Sequence, residues 1–337
     1  MATSSNAKLQ IETGQVLVPY VAMTDSGDRQ TYYTAGKVWS GASGKEPDIR
    51  PNGIVNGVDL VTPHADVDKV TVAAFKAYSM GVSYDVSATT ADVSRGLTTD
   101  VCRITSITMT SAGAIAAVAG VDHTAFSETR GANGGPPLIP VDSVEIAQVR
   151  VGATPAAVIT SSEIYQVVGT HTERYDFPVF DVNNIGQGRT ASASALANAY
   201  VKLNSAVPAA HTGPIGRKVW IQYYTPSFAD VSRCLDYKPC EKSHSVSSQQ
   251  YYGGSVASSS ESLGQGGFTA LLSDGIMDSL VTTKDNVLTT KFFQDRNKTP
   301  FILTQGKLGL SRTFPVAGQV QASATITAEN PSAEFQV

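Results

Sequence analysis

The sequence predicts a mainly β, antiparallel fold with one short flanking helix, and three observations carry that prediction. Between Val320 and Ala328 the residues alternate without a break, with Val320, Ala322, Ala324, Ile326 and Ala328 on one side and Gln321, Ser323, Thr325 and Thr327 on the other. A period of two marks a strand with one buried and one wetted face. The same alternation recurs along the chain, whereas Ile276, Met277, Leu280 and Val281 make the one clear stripe with helical spacing. Glycine and proline punctuate the alternating pieces, as in sandwiches and barrels built from hairpins.

In chain order, Val16, Val18, Tyr20 and Ala22 share a parity, as do Ile54, Val58 and Leu60. Tyr78, Met80, Val82, Tyr84, Val86 and Ala88 alternate with polar or small residues and read as one strand roughly 35 Å long. Arg103–Ser111 and Ala114–Val121, separated by Ala112-Gly113, read as a hairpin, and a Gly/Pro-rich connection follows from Arg130 to Pro137. Ser143–Val151, Ile164–Val168, Phe177–Val182 and Arg217–Tyr224 are further strands. Ser192–Asn204 fits a helix face and a strand equally well.

Beyond Tyr224 the character changes. A loop with Cys234, Pro239 and Cys240 leads to a polar strand, Val246–Tyr252, and then to a Gly/Ser stretch, Gly253–Gly267, read as flexible connection. The helix follows over 274–286, with Ser273 or Asp274 as its cap and Asn286 near its end. Strands at Val287–Gln294, Pro300–Thr304, Lys307–Phe314 and Val320–Ala328 complete the chain. The change of character divides it into an N-terminal β domain, 1–225, and a C-terminal one, 226–337.

Composition narrows the function. Lys and Arg number 25 against 29 Asp and Glu, a formal net charge of −4. Holding phosphates needs an excess of basic residues, so a nucleic-acid binder is disfavoured, although a protein past which nucleic acid slides is not. Charged residues make up 16% of the chain, well below the usual share of about 25%, which points to large protein–protein contacts. The opening MATSSNAKLQIETGQ lacks the apolar core of a secretory leader, and Ala114–Val121 is too short to span a bilayer. A soluble protein made in a cytoplasm is expected. Three cysteines make a disulfide framework improbable, and the sequon Asn297-Lys298-Thr299 has no meaning without secretion.

No motif for chemistry stands out, and no cofactor is implied. Cys234, Cys240 and His244 offer three metal-ligand types within eleven residues, but the spacing is not that of a zinc ribbon, and an incidental thiol pair in a loop is the plainer reading. Gly41-Ala-Ser-Gly-Lys45 fails as a phosphate loop, because Gly36 stands at the wrong spacing and Glu46 replaces the required Ser or Thr. No Gly-x-Ser-x-Gly elbow is present. His171-Thr-Glu-Arg-Tyr-Asp176 is the densest group of titratable residues, open to a hydrolase reading and to the plainer one of a local ion-pair network.

The C-terminal third resembles the tail tube (major tail) proteins of long-tailed, siphovirus-type bacteriophages. The resemblance rests on the order of a Gly-rich strand, the helix Ser273–Asn286, the strand Leu288–Gln294, the run Thr299 to Pro315, and a last small-residue strand ending Ala-Glu-Asn-Pro. It is strongest over residues 245–337. Phe126-Ser-Glu-Thr-Arg-Gly through Gln148-Val-Arg also looks like segments of such proteins. The resemblance implies a structural, non-enzymatic virion protein with an antiparallel sandwich or barrel of the tail-tube type. Its strands would join those of neighbouring copies around a channel for DNA ejection, and its rings would stack through loops and termini. Gly/Ser segments such as Gly41–Lys45 and Gly253–Gly267 would either order on stacking or remain flexible connections. Tail terminator, tape measure and baseplate proteins are the implied partners, DNA passes through without specific binding, and no membrane is involved.

Two ring arrangements stay open: three chains with two tube-like halves each, giving pseudo-sixfold symmetry, or six chains with one tube domain each. Pro136–Val141 leading into Val144–Val151 echoes Thr299–Thr304 leading into Leu308–Phe314, which favours the trimer. A weakly repelling lumen wall needs scattered carboxylates, and Asp85, Glu145 and Glu261 are its candidates. A capsid decoration protein or another surface β protein is the alternative.

Overall fold

The computed structural model describes residues 6–335 except 37, 41, 43, 58, 97–101, 153–154, 167–199, 204–205 and 207–217. The fold is mainly β, and every ladder among the described residues is antiparallel. A nine-stranded sheet runs in the order Cys234–Lys238, Gly266–Leu271, Gln321–Thr327, Phe301–Thr313, Val287–Phe293, Lys8–Ala22, Val219–Asp230 and Asp48–Pro51, and Ala333–Phe335 adds to Phe301–Thr313. This sheet is open and does not close into a barrel.

The last strand behaves as its alternation requires. Ala322, Ala324 and Ile326 are buried, while Gln321, Ser323, Thr325 and Thr327 are exposed. The buried side joins Leu9, Ile11, Phe268, Leu288 and Leu308 in one core. Each large side chain fully buried there stabilises the fold by about 1.5–3 kcal/mol. A second core, with Trp39, Ile49, Ile221 and Tyr223, lies at the other end of the sheet beside the small sheet of Thr24–Asp25, Thr31–Tyr33 and Tyr200–Lys202.

Residues 53–166 form a smaller, sandwich-like unit. Three small sheets enclose one core that contains Val70, Val72, Ile107, Met109, Ile146 and Val149. Arg103–Met109 and Ile115–Ala119 form the hairpin expected there, with Gly113 at φ 82° in its loop.

The boundary expected between 225 and 226 falls inside the unbroken strand Val219–Asp230. That strand pairs with Lys8–Ala22, which also pairs with Val287–Phe293, so both ends of the chain build one sheet. The echo between Pro136–Val141 and Thr299–Thr304 is not matched in conformation: the first forms no strand, and the second opens the strand Phe301–Thr313.

Four local expectations are corrected. The run Tyr78–Ala88 is not one strand. Phe75–Ser79 and Val82–Val86 pair across a two-residue turn, with Met80 at φ 53° and Gly81 at φ 79°. A turn with both central residues at positive φ matches strand twist, and here it overrides an uninterrupted alternation.

The helix spans only Ser279–Thr282 and is entered from Asp278. Its expected first turn is a loop in which the amides of Ser273, Asp274 and Gly275 donate to the Asp278 carboxylate at 3.3, 3.0 and 2.6 Å. Gly275 sits at φ 79°, outside helical space. Leu280 is buried, while Ile276 and Met277 remain exposed, so only half of the apolar stripe is used.

The Gly/Ser stretch is a strand, Gly254–Leu263. Finally, Pro300–Thr304 and Lys307–Phe314 merge into the single strand Phe301–Thr313. The strand expected at Phe177–Val182 lies outside the described residues. Of Ser192–Asn204, residues 192–199 and 204 also lie outside them, and Tyr200–Lys202 is a strand.

Candidate assembly surfaces

Among the described residues, two surfaces lack a covering layer. The first is a hairpin of Lys242–Tyr251 and Gly254–Leu263, paired residue for residue from Lys242↔Leu263 to Tyr251↔Gly254. Ten residues a side give a reach of about 33 Å. The chain reverses at Tyr252-Gly253, with Gly253 at φ 99° where a side chain would be strained. At the base, the Gly264 amide donates to the Glu241 carbonyl at 2.9 Å, so the hairpin leaves and rejoins the body at one point.

One face of the hairpin is a ladder of hydroxyl pairs, Ser243 with Ser262 at 2.9 Å, Ser245 with Ser260 at 2.6 Å and Ser247 with Ser258 at 2.8 Å. Alternation places Lys242, His244, Val246 and Glu261 on the other face. Every residue of the hairpin but Leu263 is exposed, and Val246 is 73% and Tyr252 fully accessible. A two-stranded sheet with no core on either face is at best marginally stable in water. Both of its long edges also present unpaired backbone groups.

The second surface is the wetted side of the C-terminal strands. Across three strands, Thr269, Ser323 and Ser311 form one row, Gly267, Thr325 and Gly309 the next, and Leu271, Gln321 and Thr313 a third. Leu235 extends the first row on the edge strand. The charged residues at its register-paired positions are Lys238 and Lys307, and no carboxylate stands among them.

The three lumen candidates fall in unlike places. Asp85 is exposed on Val82–Val86, opposite Lys76. Glu261 is exposed on the hairpin, opposite His244 and ion-paired with Lys242, whose hydrogen bond holds its carboxyl below the usual range. Glu145 is only 1% exposed and therefore does not lie on a wetted surface. It accepts from Ser106 Oγ at 2.5 Å and pairs with Arg130 at 2.5 Å, and Arg130 also donates to the Pro137 carbonyl at 2.7 Å. That pair ties the Gly/Pro-rich connection to its sheet.

Glu12 is a second buried carboxylate, at the irregularity between Glu12 and Gly14. It accepts from the Thr289 amide at 2.9 Å and from Ser40 Oγ at 3.4 Å, joining a crossing loop to two strands. Sequence reasoning missed both this role and the hairpin. The Gly253-Gly254 dipeptide after a polar strand was the available clue to the hairpin. Nothing in the sequence marks Glu12.

The chemical candidates do not gather. Among the described residues no group of three or more His, Cys, Asp or Glu is placed to hold a metal. Cys240 is buried with its thiol toward the Ile326 carbonyl at 3.5 Å, whereas His244 projects on the hairpin. Burial, with Asp236 adding, pushes the Cys234 thiol up to about 11, against thiolate chemistry at neutral pH. The Gly44 amide is taken by the Glu46 carboxylate at 3.1 Å, and Lys45 lies over the Tyr224 ring at 4.3 Å. The His171–Asp176 cluster lies outside the described residues.

No described helix is long and apolar enough to cross a membrane. Comparison of the chain with family models, with curated proteins and with solved structures finds no match.

Proposed function

We propose that this chain is a structural, non-enzymatic subunit that assembles with copies of itself into stacked rings, forming the tail tube of a long-tailed phage and a channel for DNA ejection. The observation that carries the reading is the hairpin Lys242–Leu263, which is long, regular and, among the described residues, uncovered on both faces and both edges. A two-stranded piece of this length gains its order from contacts with other subunits.

The edges of the large sheet are blunted by comparison. Cys234–Lys238 carries an irregularity and Asp236 at φ 54°, and Asp48–Pro51 is short and ends in a residue without an amide hydrogen. Strand addition is thereby directed to the hairpin. The low charge of both surfaces suits extended contact between copies. Lys238 and Lys307 make the open C-terminal face a poor wall for a sliding duplex, since cations hold phosphates. That face is assigned to a seam between subunits.

Such a tube lies in the virion tail, and its ends would meet terminator, tape-measure and baseplate proteins. Negative-stain microscopy of the purified full-length protein tests the reading. Stacked rings or tubes with a central hole are the expected result, and the mass of the smallest stable ring distinguishes three chains from six. A monomer that stays dispersed at high concentration would overturn the proposal and favour a decoration or other surface protein.

A further inference from the structure

The smaller unit meets the large sheet through a polar joint. The apolar cores on its two sides are separate clusters, and neither draws residues from both. Among the described residues, the contact is made instead by two turns of the smaller unit and the strand end that precedes the first. One is Met80-Gly81, both at positive φ, and the other is Asp142 at φ 63°.

On the sheet side, the guanidinium of Arg50 lies between two rings, 5.0 Å from the Tyr20 centroid and 5.1 Å from that of Tyr78 in the smaller unit. Its Nη1 donates to the Gly81 carbonyl at 2.8 Å, and Asp48 pairs with Nη2 at 2.8 Å. Asp48 also accepts from the Tyr20 hydroxyl. Gly81 has no space for a side chain, because a Cβ there would lie 2.2 Å from the Tyr20 ring.

Beside this, Asn52 accepts from the Met80 amide at 3.0 Å and donates to Asp142 at 3.3 Å. Lys218, next to the strand Val219–Asp230, reaches Asp142 at 3.0 Å. Ser79 Oγ donates to the Asp142 carbonyl at 2.7 Å, so the two turns are braced against each other. Among the described residues, the chain crosses the joint directly between Asn52 and Gly53.

We propose that these residues form a latch, with Arg50 as its main bolt and Lys218 as a second, holding the smaller unit against the large sheet without being needed for the folding of either. Arginine suits the place because one planar group stacks on two rings while its N–H fork serves a carbonyl and a carboxylate. An interface of this polarity between bodies with their own cores is the kind that permits relative motion. Loss of the bolt frees the smaller unit to swing about the Asn52-Gly53 connection.

Hydrogen–deuterium exchange on the full-length protein tests the latch. The Met80 amide is the reporter, since it donates across the joint to Asn52, and Arg103–Met109, a central strand of the four-stranded sheet of the smaller unit, is the control. In Arg50→Ala, exchange of the segment 79–82 is expected to rise about tenfold, the scale of losing a charged hydrogen-bond donor, with 103–109 unchanged. Arg50→Lys keeps the charge but not the fork or the stacking, and gives an intermediate rise. Lys218→Met gives a smaller rise in the same segment.

An unchanged 79–82 segment in Arg50→Ala would overturn the proposal. So would equal acceleration of 79–82 and 103–109 in both Arg50→Ala and Lys218→Met, because the joint would then be part of one folding unit.

Discussion

Gln321–Thr327 and Gly254–Leu263 are both strands of small residues, mostly Ser, Thr and Ala, and they lead opposite lives. The first buries every second side chain against Leu308, Phe268 and Leu9, and sits with a partner on each edge. The second buries none fully and has one partner, its own hairpin mate. What differs is whether the apolar residues fall on one parity. In Gln321–Thr327 they do, as Ala322, Ala324 and Ile326. In Gly254–Leu263 Val256 and Ala257 fall on opposite faces, and five serines, Glu261 and the terminal Gly254 and Leu263 fill the rest. The first strand is held by what lies beneath it, whereas the second holds its shape by ladder hydrogen bonds and serine pairs worth about 0.2–1 kcal/mol each.

The sharpest way to break the comparison is to remove the hairpin. Glu241 and Gly264 already meet through a hydrogen bond, so excising 242–263 and joining them leaves the body intact. The excised chain is expected to keep its unfolding midpoint and to lose ring and tube formation entirely, read by calorimetry and negative-stain microscopy. Tubes formed without the hairpin would return it to the status of an ornament.

The next largest contrast sets Glu145 against Glu261, two carboxylates that looked alike as lumen candidates. Glu145→Gln leaves Arg130 largely buried without its counter-ion and is expected to cost about 3–5 kcal/mol in denaturant unfolding. Glu261→Gln removes an exposed pair with Lys242, and the unfolding midpoint of the body stays where it was. A similar pairing of Ile326→Ala with Val256→Ala is expected to cost about 2–5 kcal/mol for the buried residue, and less than about 0.5 kcal/mol for the exposed one.

These contrasts also explain what was legible beforehand. Parity alone gave the burial of Ala322, Ala324 and Ile326, because a strand has only two faces. Parity misled at Tyr78–Ala88, where alternation continues straight through a turn. The cue there was Gly81, and its partner Met80 is a residue rarely found at positive φ. The helix was overextended because the Asp278 carboxylate takes the amides of Ser273, Asp274 and Gly275, and helical spacing is silent about which residue caps. Glu145 read as a wall residue because its charge was visible and Arg130, fifteen residues earlier, was not visibly its partner. The union of Lys8–Ala22 with the C-terminal strands was the least legible feature, since long-range pairing leaves no trace in local pattern.

The smallest effect concerns the loop that replaced the first turn of the helix. The backbone amides of Gly275, Asp274 and Ser273, with Gly275 foremost, hold the Asp278 carboxyl below the usual range. A carboxyl lowered on folding contributes stability above its unfolded value, near pH ~3.9, and that contribution is lost as the pH falls through the folded value. Asp278→Asn should therefore unfold at slightly lower temperature than the parent at pH 7, with the gap closing as both are titrated into acid. The hairpin offers the control. Its Ser pairs carry no charge, so Ser245→Ala should shift the hairpin's exchange rates equally at both ends of the same pH range. A pH-independent gap for Asp278→Asn would mean that the loop is held by Gly275 and the packing of Phe314 and Val320 around it, rather than by the carboxylate.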